Sequence, residues 1–245
     1  MNPFSGERIE LPPSTKPIRL ENLRVITSTN PSDANCLFLA IQSCCSLAFC
    51  RQGHKSWTCL NFGLCFCDAI FYKGEFYAID ISNCLFHLNC NLHHEAKRLN
   101  LRNLIIGMSN STYLVELNGD LLLVVRLMNE RFAQEDSLYR SNYVDHFKVY
   151  KFDWVKKKWI LVTRIGNYAI LLGKYSSISI PNKLCRYFKA NYIYLIDDSS
   201  SNFPYECEFP NRETGLYDTS TYRIKLLYQS SSIWTNKLQW FRPRE

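Results

Sequence analysis

An all-β fold assembled from repeated antiparallel units is what this sequence predicts, and three observations carry that reading. The chain runs as short apolar stretches cut by turn residues, a pattern of strands and not of helices lasting ten or more residues. Its aromatic share is 14%, with 15 Tyr and 15 Phe, and such side chains suit a pleated, half-buried surface. Two pairs of segments also echo each other at intervals that match whole sheets. With 245 residues and a hydrophobic fraction of 47%, a single domain over 1–245 is expected.

Taken in order, residues 1–13 open on turn formers and hold no apolar signal core, so they read as the tail of a preceding unit. Residues 36–50 are the longest apolar stretch. Gln42, Ser43 and Ser46 break it below the ~18 apolar residues of a membrane span, so no membrane partner is expected. The clearest hairpins are Ala69-Ile70-Phe71-Tyr72, turning at Lys73-Gly74-Glu75 into Phe76-Tyr77-Ala78-Ile79, and 113–117, turning at Asn118-Gly119-Asp120 into 121–125. Asn-Gly supplies the positive φ angles of a tight hairpin turn. Gly74 and Gly119 lie 45 residues apart, within the roughly 40 to 50 residues of a four-stranded propeller blade. Lys55-Ser56-Trp57 and Lys157-Lys158-Trp159 repeat a Lys-x-Trp pattern at 102 residues, about two blades.

Periodicity alone admits both a propeller and an antiparallel sandwich. On the propeller reading the blades cover 23–60, 62–104, 113–162 and 168–228: about four blades plus a partial one. Residues 129–145 interrupt the third with a long polar connection. Loops of that length inside a compact domain are usually functional or disordered. Arg131, Tyr139, Arg140 and Tyr143 are therefore the candidate partner-binding residues.

The formal charge is +7 and the pI near 8.8, but the basic residues are scattered, with one run at Lys156, Lys157 and Lys158 that suits a solvated turn. Nucleic acid is not an expected partner; a basic RNA-binding surface is kept as an alternative. The eleven cysteines come without a signal segment, which predicts reduced thiols and an intracellular chain, in cytoplasm or nucleus. The sequon Asn110-Ser111-Thr112 then has no role.

Cys84, Cys90, His93 and His94 form the one cluster with zinc-like chemistry, but their spacing does not match common zinc motifs. Cys65-Phe66-Cys67 reads as an alternating strand segment, and the two thiols are not expected to share a metal without a bulge. His54, His87, His93, His94 and His146 could each serve a cysteine nucleophile as base, yet nothing in the sequence pairs them. Asp197 and Asp198 point to opposite faces if they end a strand. Trp57 and Trp159, at repeated positions, read as packing residues. No hydrolase elbow, zinc-protease, phosphate-loop or dinucleotide motif occurs. A non-catalytic binding protein without cofactor or metal is the preferred reading, and a cysteine- or zinc-dependent enzyme is the alternative.

The motifs also carry a resemblance. FKVYKFD at 147–153, WILV at 159–162, LLG at 171–173, NYIYLIDD at 191–198, GLYD at 215–218 and W-F-x-P at 240–243 resemble the plant KIB-type β-propeller family. Upstream, NPFSG at 2–6, I-x-L-P-P at 9–13, KSW at 55–57, DAIFYKG at 68–74, LVE at 114–116 and GDLLLV at 119–124 match in the same order. Members usually carry an N-terminal F-box that docks on an SKP-type adaptor of a cullin ubiquitin ligase, while the propeller recruits the protein to be ubiquitinated. The resemblance implies a β-propeller of four-stranded antiparallel blades and recruitment of an unknown protein target, not catalysis. NPFSG follows the F-box and opening blades in the family but begins here at residue 2. The expectation is thus a chain incomplete at its N-terminus, without an F-box or adaptor contact, acting as a truncated or competitor form. Arg164-Ile165, where the family tends to have Ser-Leu, and Lys189-Ala190-Asn191, where Gly-Asn is usual, are smaller departures.

Overall fold

The computed structural model describes residues 8–13, 23–42, 46–60, 62–90, 95–100, 104, 111–128, 144–173, 176–183, 187–195 and 212–230. Every regular element among them is a β-strand. The chain divides into two compact units, Met1–Leu99 and Asn100–Glu245, each built on two sheets.

In the first unit, β1 (Arg24–Thr27), β2 (Leu37–Gln42), β3 (Ser46–Arg51) and β4 (Thr58–Leu60) form an antiparallel meander. A second meander follows, with β5 (Phe66–Tyr72), β6 (Glu75–Asp80), β7 (Leu85–Asn89) and β8 (Glu95–Arg98). The sheets share a core in which Leu39, Leu47 and Phe49 meet Phe76, Phe86 and Leu88. Burying each such side chain is worth about 1.5–3 kcal/mol. Ile9 and Leu11 pack on the Cys36, Phe38 and Cys50 cluster of the first sheet, and the Trp57 indole N–H donates to the Pro12 carbonyl at 2.8 Å.

In the second unit, β9 (Ser111–Leu117), β10 (Asp120–Met128), β11 (Val144–Asp153) and β12 (Lys158–Val162) form the third meander. Residues 121–125 of β10 are all buried. A continuous apolar run is what a strand covered on both faces requires. The last sheet holds β13 (Tyr168–Leu172), β14 (Ile178–Pro181), β15 (Tyr192–Leu195), β16 (Arg212–Asp218) and β17 (Arg223–Ser230), in the order β14-β13-β15-β16-β17. Tyr113, Val115 and Phe147 of the third sheet share a core with Ile170, Ile193 and Tyr217 of the fourth.

Each meander is the four-stranded unit of a propeller blade, and the sheets occupy the stretches read from the sequence. Both hairpins close on two-residue turns: Lys73 and Gly74 have φ of 48° and 87°, Asn118 and Gly119 of 51° and 80°. The acidic residue after each glycine is already paired in the strand, Glu75 with Tyr72 and Asp120 with Leu117. The 45-residue echo marks the same turn in sheets that follow one another along the chain. Trp57 stands just before β4 and Trp159 within β12, so the second echo also falls at the fourth strand of its sheets.

The fourth sheet departs from the expected four-stranded antiparallel unit. β13 pairs parallel with β15 and antiparallel with β14, an added edge strand that ends at Pro181. Proline has no N–H for a ladder and is tolerated at an edge. The Ser179 hydroxyl donates to the Glu116 carbonyl of β9 at 2.6 Å, which ties the added strand to the third sheet.

Candidate functional site

The second unit carries a cleft of about 390 Å³ between its two sheets. Its position follows from where strands stop. β12 ends at Val162 opposite Val149, while β11 runs beyond that pair to Val144 with β10 as its strand neighbour. His146, Phe147 and Lys148 therefore stand where the sheet steps down, and Leu161, Val162 and Thr163 form the other shoulder. The wall from the fourth sheet is Tyr217 with the turn residues Thr219 and Tyr222.

That wall is fixed from below. Tyr217 is buried, its ring is 5.2 Å from that of Phe147, and its hydroxyl donates to the Phe147 carbonyl at 3.2 Å. Burial is the main cause that pushes its phenol up. Asp218 organises the turn. Its Oδ1 accepts from the Ser220 N–H at 2.9 Å and hydroxyl at 2.6 Å, and its Oδ2 from the Tyr192 hydroxyl at 3.1 Å. The Ser220 hydroxyl leads the hydrogen bonds that bring the Asp218 carboxyl down to about 2.

Asn191 locks this turn to the strand before it. At φ 66° its side-chain oxygen accepts from the Ile165 N–H at 3.0 Å and its amide donates to Ser220 Oγ at 2.9 Å. Its carbonyl accepts from the Thr219 hydroxyl at 2.9 Å. Asn is among the few non-glycine residues that enter the left-handed region readily. Arg164-Ile165 and Lys189-Ala190-Asn191, the two departures from the family pattern, thus meet at one junction.

The rim is apolar and open: Leu161 is 54% and Tyr222 58% exposed. Lys148, exposed, and His146, half-buried, are its basic side chains, and among the described residues the lining holds no carboxylate. Such a surface can bind and orient a partner.

Arg131, Tyr139, Arg140 and Tyr143 lie outside the described residues; in sequence they belong to the connection that re-enters β11 just ahead of His146. His93, His94, Asp197 and Asp198 also lie outside them. Cys84 and Cys90 are buried in the core of the first unit, and burial pushes the Cys90 thiol up to about 11. Cys36, Cys50, Cys59, Cys67, Cys84 and Cys90 form no disulfide, whereas Cys65 is disulfide-bonded, which departs from the expectation of wholly reduced thiols. Burial alternates along Cys65-Phe66-Cys67, and a bulge follows at once, because the register shifts between Phe66 and Asp68. That bulge puts Phe66 and Ala69 on one face, in the shared core, while on the other face the fully buried Asp68 carboxylate pairs with Arg24 of β1. Trp159 is buried against Phe152, with rings 5.0 Å apart. Lys156, Lys157 and Lys158 are exposed at the β11–β12 turn, where Asp153 accepts from the Lys156 N–H at 2.8 Å.

The profile of the KIB1-4 β-propeller family matches residues 1–218. The chain belongs to this family. An Arabidopsis thaliana protein named as an F-box protein, At5g55150, is 25% identical over 226 residues, covering 91% of this chain and 60% of its own length. A second, At1g65770, is 28% identical over 148 residues, 59% of this chain and 40% of its own length. A third, the F-box protein At2g26160, is 27% identical over 161 residues, 61% of this chain and 46% of its own length. The chain thus spans between 40% and 60% of the lengths of these relatives. The KIB1-4 match makes the repeated sheets the blades of a β-propeller domain and removes the sandwich alternative. Its matched stretch ends at Asp218, the residue that shapes the cleft turn.

No sequence motif singles out the cleft, although two signals point to it. Ile160-Leu161-Val162 is consecutive and apolar on what becomes an edge strand, so part of it must face solvent. Asp218-Thr219-Ser220 has the composition of a side-chain-stabilised turn.

Proposed function

We propose that this chain is a non-catalytic protein-interaction domain of an intracellular protein, one that takes up a target in the way substrate-recruiting propellers of F-box ubiquitin-ligase adaptors do. The observation that carries this reading is the family match over residues 1–218 together with relatives named as F-box proteins. The open apolar rim of Leu161 and Tyr222 supports it, since exposed apolar surface is characteristic of contact sites. Against a cysteine enzyme stand Cys50 and Cys90, buried thiols raised to about 11 and so protonated at neutral pH.

Expressed as these 245 residues, the domain is expected to bind the target of a longer relative without delivering it, and so to act as a competitor. The test is competition: the proteins cross-linked to full-length At5g55150 in plant extract are quantified with increasing purified chain. Saturable loss of specific cross-linked proteins supports the reading. No displacement at any concentration, with no saturable partner of the chain itself, would sink it.

A further inference from the structure

We propose that the cleft of the second unit takes an extended segment of the target, whose large apolar side chain enters between Tyr217, Leu161 and Tyr222 and whose flanking carboxylates face Lys148 and His146. This rests on the protein-interaction reading and adds the place and chemistry of the contact.

Four features lead to it. The cavity, about 390 Å³, falls in the lower part of the ligand-pocket range of about 300–1,000 Å³. Its rim is not enclosed: Leu161 and Tyr222 each leave more than half their surface in solvent. A small molecule in the cavity would leave that apolar rim bare, whereas a chain crossing the cleft covers it. Along the cleft, β11 continues past the last residue of β12, so an incoming extended segment can prolong the line of β12 beside residues 144–148. Strand addition of this kind combines main-chain pairing with side-chain pockets.

Charge then narrows the segment. Lys148 and His146 present a cation and an imidazole donor, and among the described residues no lining carboxylate opposes them. The nearby Asp218 is occupied by Ser220 and Tyr192. A carboxylate on the segment finds a partner at this rim. Asp218 and Asn191 hold the turn in place, so the wall is formed before the ligand arrives, which lowers the ordering cost of binding.

The test uses the intact chain and phage-displayed random linear peptides. Expected is enrichment of peptides with Phe, Leu, Met or Trp beside Asp or Glu, and saturable binding of the fluorescein-labelled consensus peptide by anisotropy. Leu161→Asp and Lys148→Glu should each weaken that binding about tenfold or more, the scale of a contact that matters. Both side chains are exposed, so the variants should melt with the parent. Ile81→Asp, at a 66% exposed position in the first unit, should leave binding unchanged. A peptide with its acids changed to lysine should regain affinity for the Lys148→Glu variant. Failure to enrich peptides, enrichment without acids, or binding indifferent to both cleft variants would overturn the proposal, as would equal displacement by polyuridylate. The two readings separate in the cross-linking assay: if both cleft variants displace the target as the parent does, the interaction role stands and this cleft is not its site.

Discussion

Asp218 holds its carboxyl at about 2, against an ordinary value of 3.8, chiefly through the Ser220 hydroxyl and then the Ser220 N–H, Thr221 and Tyr192. A carboxyl depressed in the native state favours folding above its unfolded value, and the contribution is lost as pH falls through the folded one. Asp218→Asn should therefore melt below the parent at neutral pH. The gap should narrow as pH drops from about 5 toward about 3, because the unfolded parent regains its proton first. Thermal melts across that range check the sign, and a gap that widened toward acid would contradict it. Thiols divide along similar lines. Burial, followed by the Glu75 charge, pushes Cys90 up to about 11, while Cys59 is exposed. Since the thiolate is the reactive form, iodoacetamide near pH 8 should label Cys59 at least about tenfold faster than Cys90, as read by peptide mass mapping.

Between elements, the Arg24–Asp68 pair joins β1 to β5 of the first unit through a carboxylate with no exposed surface. Asp68 also accepts from the Ala69 N–H at 2.6 Å. Asp68→Ala leaves the Arg24 cation nearly buried without that partner, and should cost about 3–5 kcal/mol in urea unfolding. At the hairpins the cost is conformational. Gly119 sits at φ 80° with open space where an added methyl would stand, so Gly119→Ala should destabilise by about 1–2 kcal/mol through backbone strain alone. Denaturant titration reads this directly, and a neutral result would mean that the turn can relax. These hairpins were legible in the sequence because each is local, an apolar run on either side of a turn that needs positive φ. The fourth sheet was not, because the parallel pairing of β13 with β15 reverses the order that simple meandering gives. The bulge before Asp68 was hidden for a related reason: strict alternation puts Cys67 on the face of Ala69, whereas the folded strand puts Phe66 there, and no local residue marks the shift.

For the whole molecule, the sheet boundaries could be read from the chain, but the cleft draws on β11, the end of β12 and the β16–β17 turn, residues distant in sequence that only folding brings together. No local spacing rule reaches that far. The formal charge of +7 is a different kind of global property, visible from composition yet silent on the partner. Its described exposed cations are spread: Lys156, Lys157 and Lys158 share one turn, Lys151 is paired with Asp120 at 2.7 Å, and Lys148 stands at the cleft. A nucleic-acid surface needs many cations on one backbone track, and each neutralised phosphate adds about 0.7 to the single-strand salt slope. One turn of lysines could engage about three phosphates, a slope near −2 in log K against log salt. Titrating a fluorescent single-stranded RNA across salt should thus show weak binding with a shallow slope. Lys156→Glu should flatten it further, while Lys148→Glu leaves it unchanged, which keeps this background apart from the cleft. A slope steeper than about −4 would require roughly six phosphate contacts, more than that lysine turn can supply. That outcome would make RNA the partner to pursue.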